Sequence, residues 1–221
     1  MNSDKFTPRL LGLMFVIVAV ASALSGLMFS SLIESDNISN SMINISDDPT
    51  KMMMSIVGEL ITAIGIVLLA VLLYITLKKQ NKIIARWAFG LWITEAIILA
   101  VREISAFRLL YTSQEYVKAG APDSSYFQTL GSLFYESAQF GYGVLMVFYC
   151  LGGILFYYLI LKSKYVPKVF PLWGIIVASL GFFGILFALF GYDVPMYVFL
   201  PIFPFELAIG VWLMVKGFRP Q

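Results

Sequence analysis

The chain has 221 residues, of which 60% are hydrophobic and only 13% are charged, and its mean hydropathy is +0.86. This composition lies outside that of soluble globular domains and is typical of a protein whose solvent is the lipid bilayer. The lack of histidine and the single cysteine exclude histidine-dependent catalysis, intrachain disulfides and cysteine metal clusters. The net charge is only +2 and the basic residues lie mostly in short loops, so we expect no nucleic-acid partner. We also expect no metal and no cofactor.

Six apolar segments follow one another along the chain, each near the length that crosses a hydrocarbon layer about 30 Å thick. They predict membrane spans at about 10–33, 52–77, 87–111, 130–161, 172–191 and 198–215. The first segment resembles a signal peptide, but its apolar run exceeds the roughly 7 to 15 residues of such a leader, which favours an uncleaved helix. The sequence therefore predicts an all-α polytopic bundle that forms one transmembrane domain over residues 1–221.

Lysine and arginine residues outside the apolar cores are distributed unequally between the two sides of the predicted bundle. Eleven of them lie on the side of the two termini, and only Lys51 and Lys118 lie on the other. Because basic residues accumulate in short cytoplasmic loops, this bias predicts a cell-membrane protein with both termini in the cytoplasm.

Seven ionisable residues lie within the predicted spans or at their edges. They are Glu59, Glu95, Arg102, Glu103, Arg108, Glu136 and Glu206. A charge at mid-helix costs about 2.5 to 3.5 kcal/mol, so we expect these side chains to face the bundle interior and to have partners.

The depth of each charge follows from a count of about 1.5 Å per residue from the cytoplasmic basic residues. The count places Glu95 and Glu206 about 14 Å from the cytoplasmic basic residues, near the midplane of the membrane, and the other charges near its outer boundary. We therefore predict an outward-facing polar cavity, with ligand-binding candidates at Glu59, Glu95, Arg102, Glu103, Glu136 and Glu206.

The direction of helical side chains predicts a specific pairing inside this cavity. Side chains lean toward the N-terminus of their helix, so Arg102 leans inward and Glu206 leans outward. We predict an ion pair between Arg102 and Glu206. Glu95 leans away from Arg102, and we expect it to be protonated because burial disfavours the charged form.

Glycines and prolines inside the spans each have two interpretations. Glycines at 141, 143, 152, 153, 174, 181 and 184 let helix backbones approach closely, and packing is favoured over a substrate channel. Pro201 and Pro204 either break the sixth helix beside Glu206 or lie in its first turn.

Several motifs with characteristic residues are distributed along the chain. They are Gly58-Glu59-Leu60 with Leu73-Tyr74, Arg102-Glu103 in VREISAF, the stretch from Gly152 to Ile176, and Glu206 with Gly210-Val211-Trp212-Leu213 and Lys216-Gly217. Together they resemble a family of six-helix bacterial and archaeal membrane proteins, the domain-of-unknown-function family 4386. The resemblance covers almost the whole chain and implies a membrane topology but no reaction. It implies that Glu59, Arg102, Glu103 and Glu206 occupy the family's polar positions. A histidine expected before the fourth helix's glycine-rich part is replaced here around Tyr135 to Gln139.

These observations leave two interpretations of the buried charges. In the first, the charges fix helix register. In the second, they bind a small cationic or polyhydroxylated molecule, because carboxylates outnumber arginines. A proton relay through Glu95 and Glu206 is a variant of the second interpretation.

The leading hypothesis for function is a membrane protein, surrounded by membrane lipids, that binds or carries a small ligand or a lipid head group, as a transporter would. An intramembrane lipid-modifying enzyme is an alternative, although no catalytic residue set is recognisable. A non-catalytic partner or sensor subunit is the third, with the loop from Glu34 to Lys51 as a contact surface.

Overall fold

The computed structural model describes residues 3–34, 37–122 and 126–219, and all regular structure within these ranges is helical. In chain order the helices are α1 (Ser3–Ser30), α2 (Ile38–Asp47), α3 (Pro49–Leu77), α4 (Lys82–Lys118), α5 (Tyr126–Ser163), α6 (Val169–Leu189) and α7 (Ile202–Lys216). One 3-10 turn, Met196–Val198, precedes α7. The predicted all-α class is therefore confirmed.

Five of the helices, namely α1, α3, α4, α5 and α6, are long and apolar enough to cross a membrane. They correspond to the first five spans predicted from the sequence, with ends that differ by a few residues. The sixth predicted span differs more, because α7 begins only at Ile202 and has 15 residues. At about 1.5 Å per residue it is roughly 22 Å long, which is shorter than the hydrocarbon layer.

The two prolines explain why α7 starts late. Pro201 is the N-cap residue and Pro204 lies in the first turn, where a missing N–H removes no intrahelical hydrogen bond. The residue before a proline disfavours the helical conformation, so the helix does not extend backward through Leu200. The first-turn interpretation of these prolines is therefore confirmed, and Glu206 lies in the second turn of α7.

The helices pack side by side in an order that nearly follows the chain. The contacts run from α7 to α1, α3, α4, α5 and α6, and α6 also touches α7. A continuous apolar core extends from Leu11 of α1 to Leu213 of α7, and a smaller cluster at the other end of the bundle includes Ile45, Met52 and Leu109. Helices α4 and α7 are not neighbours in this order, which limits the partners available to the buried charges.

Helix α1 and helix α7 approach each other closely at two glycines. A Cβ placed on Gly210 would lie 2.9 Å from the carbonyl oxygen of Gly12, and a Cβ on Gly12 would clash with the carbonyl oxygen of Gly210. The two backbones are thus in direct contact, as small residues allow in membrane helix pairs. Other glycines accommodate large rings, with Gly152 against Trp92 and Gly174 against Phe205, so the packing interpretation holds for those two positions.

Helix α2 lies in a segment for which the sequence indicated only a polar loop. Asn37 caps it by accepting a hydrogen bond from the backbone N–H of Asn40 at 3.1 Å. Met42 and Ile45, three residues apart on one face, are fully buried, and α2 packs mainly on α4. A two-residue apolar face of this kind is too short for a periodicity signal, which is why the helix was missed.

The end of the bundle that carries the C-terminus is held together by a small contact set. The backbone N–H of Arg219 donates to the carbonyl of Tyr165 at 2.8 Å, and the rings of Tyr165 and Phe218 stack with centroids 4.6 Å apart. Gly217 lies beside Pro8 of α1. The start of α1, the α5–α6 connection and the end of α7 therefore meet at one end.

Candidate functional site

Four glutamates of the apolar helices are buried inside the bundle. Their exposed fractions are 7% for Glu59, 4% for Glu95, 4% for Glu103 and 9% for Glu206. They come from three different helices, α3, α4 and α7, and all four are withdrawn from the surface of the protein. This burial agrees with the expectation that charged groups in the spans face the bundle interior, because an ionisable group that faced acyl chains would have no partner.

Arg102 of α4 is held in a fixed position by two hydrogen bonds. Its Nη1 donates to Glu103 Oε1 at 2.8 Å, and its Nε donates to the carbonyl of Ala138 on α5 at 2.9 Å. The side chains of Arg102 and Glu103 are only 8% and 5% exposed. Because this ion pair is buried and hydrogen-bonded, removal of either partner would leave an uncompensated charge.

Two aromatic rings enclose the guanidinium of Arg102. Its Cζ lies 5.8 Å from the ring centroid of Phe29 on α1 and 5.5 Å from that of Tyr142 on α5, distances at which a cation interacts with the ring face. Gly141 of α5 lies against the Arg102 side chain, and a Cβ placed on Gly141 would lie 3.4 Å from the Cβ and Cγ of Arg102. Tyr142 is 45% exposed, so the guanidinium lies directly beneath the surface here.

Glu59 of α3 completes this group, which we call the outer cluster: Glu59, Arg102 and Glu103. Glu59 lies within electrostatic range of both other members. No described residue donates a hydrogen bond to its carboxylate. The outer cluster therefore places two carboxyl groups near a single guanidinium, which is bonded to Glu103 but not to Glu59.

Glu95 of α4 and Glu206 of α7 form a second group, which we call the deep pair. Tyr149 of α5 donates its hydroxyl hydrogen to Glu206 Oε1 at 2.8 Å. Glu95 lies within electrostatic range of Glu206, and its Oε2 is buried without a hydrogen-bond partner among the described residues. Sequence counting placed both glutamates at one depth, and the structure brings them together.

The ion pair predicted between Arg102 and Glu206 is wrong. Arg102 pairs with Glu103, and Glu206 is bonded to Tyr149. The physical reason is that α4 and α7 are not neighbours, whereas α5 packs on α4 and offers Arg102 the Ala138 carbonyl. The lean of the side chains along their helices could not indicate which helices are neighbours.

Two of the charges singled out in the sequence lie at the surface. Glu136 of α5 and Arg108 of α4 are both exposed, and the Arg108 Cζ lies 5.9 Å from the ring centroid of Phe134. Neither belongs to the outer cluster or to the deep pair as the structure places them. Both were assigned to the outer interface by the depth count, where exposure costs little.

A shallow apolar groove of about 630 Å³ runs between α3 and α4 near the outer cluster. It is lined by Pro49, Thr50, Met53, Met54, Val57, Gly58, Ile61, Phe107, Leu110, Tyr111 and Gln114. Gly58 precedes Glu59 in the chain, and Phe107 lies one helical turn beyond Glu103. The groove thus borders the helices that supply the outer cluster.

Several partners of the buried charges were not predicted. Tyr149 carries the clearest signal in the sequence, because a tyrosine in the middle of an apolar span needs a partner for its hydroxyl. The Ala138 carbonyl, the Phe29 ring and Tyr142 carry no such signal. Their roles depend on helix neighbours that a single sequence does not specify.

The apolar helices and the charges withdrawn into their interior define an integral membrane protein. The chain belongs to the family described as Domain of unknown function (DUF4386), whose model matches residues 10–217. The resemblance seen in the sequence is therefore confirmed over almost the whole chain. No curated protein and no solved structure matches the chain.

Proposed function

We propose that this protein spans the cell membrane six times, with both termini in the cytoplasm, and binds or carries a small cationic or hydroxyl-rich ligand taken from the outer side. The binding site would be the outer cluster, and the six helices would form one transmembrane domain.

Support for six spans comes from the path of α7. Helix α6 ends at Leu189, and the C-terminal segment after α7 contacts Tyr165, which lies at the opposite end of α6. The chain must therefore return along the bundle, with the stretch from Met196 to Pro201 adding length to the short helix. Basic residues concentrate at this end, which agrees with a cytoplasmic location.

The observation that carries the ligand proposal is the unused carboxylate of Glu59. It lies beside a guanidinium that is already committed to Glu103 and Ala138. A buried carboxylate without a donor is costly, so a ligand that supplies an ammonium group or several hydroxyl groups would be stabilised there. The half-exposed ring of Tyr142 marks the place where such a ligand would reach the outer cluster.

The apolar groove favours a lipid as a second candidate ligand. Its lining is largely aliphatic and aromatic, and it borders the helices that carry Glu59 and Glu103. A lipid whose head group met the outer cluster would have room for an acyl chain beside Met54 and Phe107. This candidate predicts a bound lipid that survives purification.

The proposal is tested by thermal unfolding of the protein in lipid nanodiscs with putrescine, choline, glucosamine and sorbitol as probes. A ligand that binds only the folded state raises the unfolding temperature in proportion to its affinity. We expect at least one probe to do so, and Glu59→Gln to weaken that binding about tenfold or more, as the loss of one charge-assisted hydrogen bond implies. Glu115→Gln, at a partly exposed glutamate of α4, should leave the shift unchanged.

Two outcomes contradict the proposal. In the first, no probe changes the unfolding temperature. In the second, the shift is identical in wild type and Glu59→Gln. A lipid found by mass spectrometry in the wild type and lost in Met54→Trp, which fills the groove, would favour the second candidate.

A further inference from the structure

The deep pair contains two carboxyl groups for which the surrounding helices provide no cation. The titratable groups near Glu95 are Glu206 on α7 and Tyr142, Cys150 and Tyr157 on α5, and Tyr149 of α5 bonds to Glu206. Arg102, whose side chain is only 8% exposed, is bonded within the outer cluster. Two negative charges in this apolar interior would be uncompensated, so at least one must be neutralised by a cation that the protein takes up.

The two members of the pair differ in their hydrogen bonds. Glu206 Oε1 accepts a hydrogen bond from the Tyr149 hydroxyl at 2.8 Å, so this oxygen has a partner. Glu95 Oε2 is fully buried and has no hydrogen-bond partner among the described residues. An unpartnered oxygen is far less costly on a neutral carboxyl group than on a carboxylate, so the asymmetry favours the proton on Glu95.

The packing around the pair indicates how small the neutralising cation must be. Trp92, Tyr157 and Phe205 are at most 2% exposed. Gly152 leaves no room for a Cβ beside Trp92, and a Cβ on Gly174 would lie 2.6 Å from Phe205. The described residues also contain no group of three side chains suited to hold a metal ion. A proton needs neither free volume nor a coordination shell.

We propose that the deep pair is a proton-binding site, with the proton held on the carboxyl group of Glu95. Uptake forms the O–H bond of the Glu95 carboxyl group from a carboxylate and a proton, and release reverses it, so no other reactant is required. The buried hydroxyl of Tyr157 lies within electrostatic range of both carboxyl groups and has no hydrogen-bond partner among the described residues. The proton site does not depend on the outer cluster binding a ligand, and it adds the group that a proton-coupled carrier would use.

The test is infrared difference spectroscopy of the full chain in nanodiscs at neutral pH, without any added ligand. A protonated carboxyl group has a C=O stretching band that a carboxylate lacks, and this band shifts in heavy water. We expect the wild type minus Glu95→Gln difference to contain a band equivalent to one carboxyl group per chain. Glu206→Gln and the control Glu115→Gln, at a partly exposed position, should both retain it.

Two results would overturn the inference. One is a spectrum of Glu95→Gln in which the acid band is undiminished, and the other is a band lost in Glu206→Gln but kept in Glu95→Gln. Because Glu95→Gln replaces a neutral group by a neutral group of the same shape, it should fold, and thermal unfolding of each variant verifies this. Because the spectrum is recorded without a ligand, its result does not depend on the probe-binding experiment, and the two proposals can be rejected separately.

Discussion

Arg102 shows how one buried cation can organise a membrane interior. Its guanidinium connects α4 to α5 through the Ala138 carbonyl and lies between rings of α1 and α5. Glu103, the next residue, supplies the counter-charge. Adjacent residues on a helix do not face each other, so this pair forms only because the Arg102 side chain is held by its contacts with α5.

Replacement of Arg102 tests this arrangement. Arg102→Gln removes the partner of Glu103 and the electrostatic neighbour of Glu59, and breaking a buried pair from one side costs about 3 to 5 kcal/mol. The free energy of unfolding, measured by denaturant titration in micelles, should fall by that amount. The double variant Arg102→Gln with Glu103→Gln should recover part of the loss, since the charge of Glu103 is then no longer left unpaired.

A matched control is available on the same helix. Arg108 is exposed, so Arg108→Gln should change the free energy of unfolding by no more than about 1 kcal/mol. Equal effects at Arg102 and Arg108 would contradict the buried ion pair.

Helix contacts at the scale of single elements depend on close backbone approach. At the α1–α7 contact, a Cβ on Gly210 would meet the Gly12 carbonyl oxygen, a Val16 methyl group and the Phe15 Cβ at 2.9 to 3.1 Å. Backbone atoms cannot move aside as a flexible side chain can. This contact therefore sets the position of α7, and with it the position of Glu206.

An alanine series tests this contact. Gly210→Ala should lower the free energy of unfolding by about 1 to 3 kcal/mol through overpacking. Gly90 of α4 has open space around it, so Gly90→Ala should be neutral or stabilising by up to about 1 kcal/mol. A series in which both variants are equally stable would show that α1 and α7 are not in backbone contact.

The elements that could be predicted from the sequence are those with a long apolar signal. The first five spans were found because an apolar run of about 20 residues or more matches the thickness of the hydrocarbon layer. Helix α2 was missed because only Met42 and Ile45 form its apolar face. The start of the sixth span was placed too early because Phe199 and Leu200 are apolar, although the chain there is not in an α-helix.

At the scale of the whole molecule, the sequence predicted which charges would be buried better than it predicted their partners. Burial of Glu59, Glu95, Glu103 and Glu206 follows from the cost of charge in lipid. The pairing of Arg102 depends on which helices are neighbours, and a count along each helix contains no such information. The depth count separated Glu95 and Glu206 from the other charges, whereas the hydrogen bonds within the outer cluster and the deep pair emerge only from the structure.

The outer cluster and the deep pair differ in their access to the surface of the bundle. The outer cluster is near the surface beside Tyr142 and has an unused carboxylate, whereas the deep pair is enclosed by packed aromatic rings. We propose that the polar interior opens to the outer side of the membrane. This claim can be tested without any knowledge of the ligand.

The most direct measurement is labelling of single cysteine substitutions in intact cells with a membrane-impermeant thiol reagent. We predict labelling from outside at Tyr142→Cys and Glu115→Cys, and labelling at Lys168→Cys only after permeabilisation. Ile64→Cys, exposed on an apolar stretch of α3, and the buried native Cys150 should not react. Failure of Tyr142→Cys to react from outside, or reaction of Lys168→Cys in intact cells, would contradict a polar interior that opens outward.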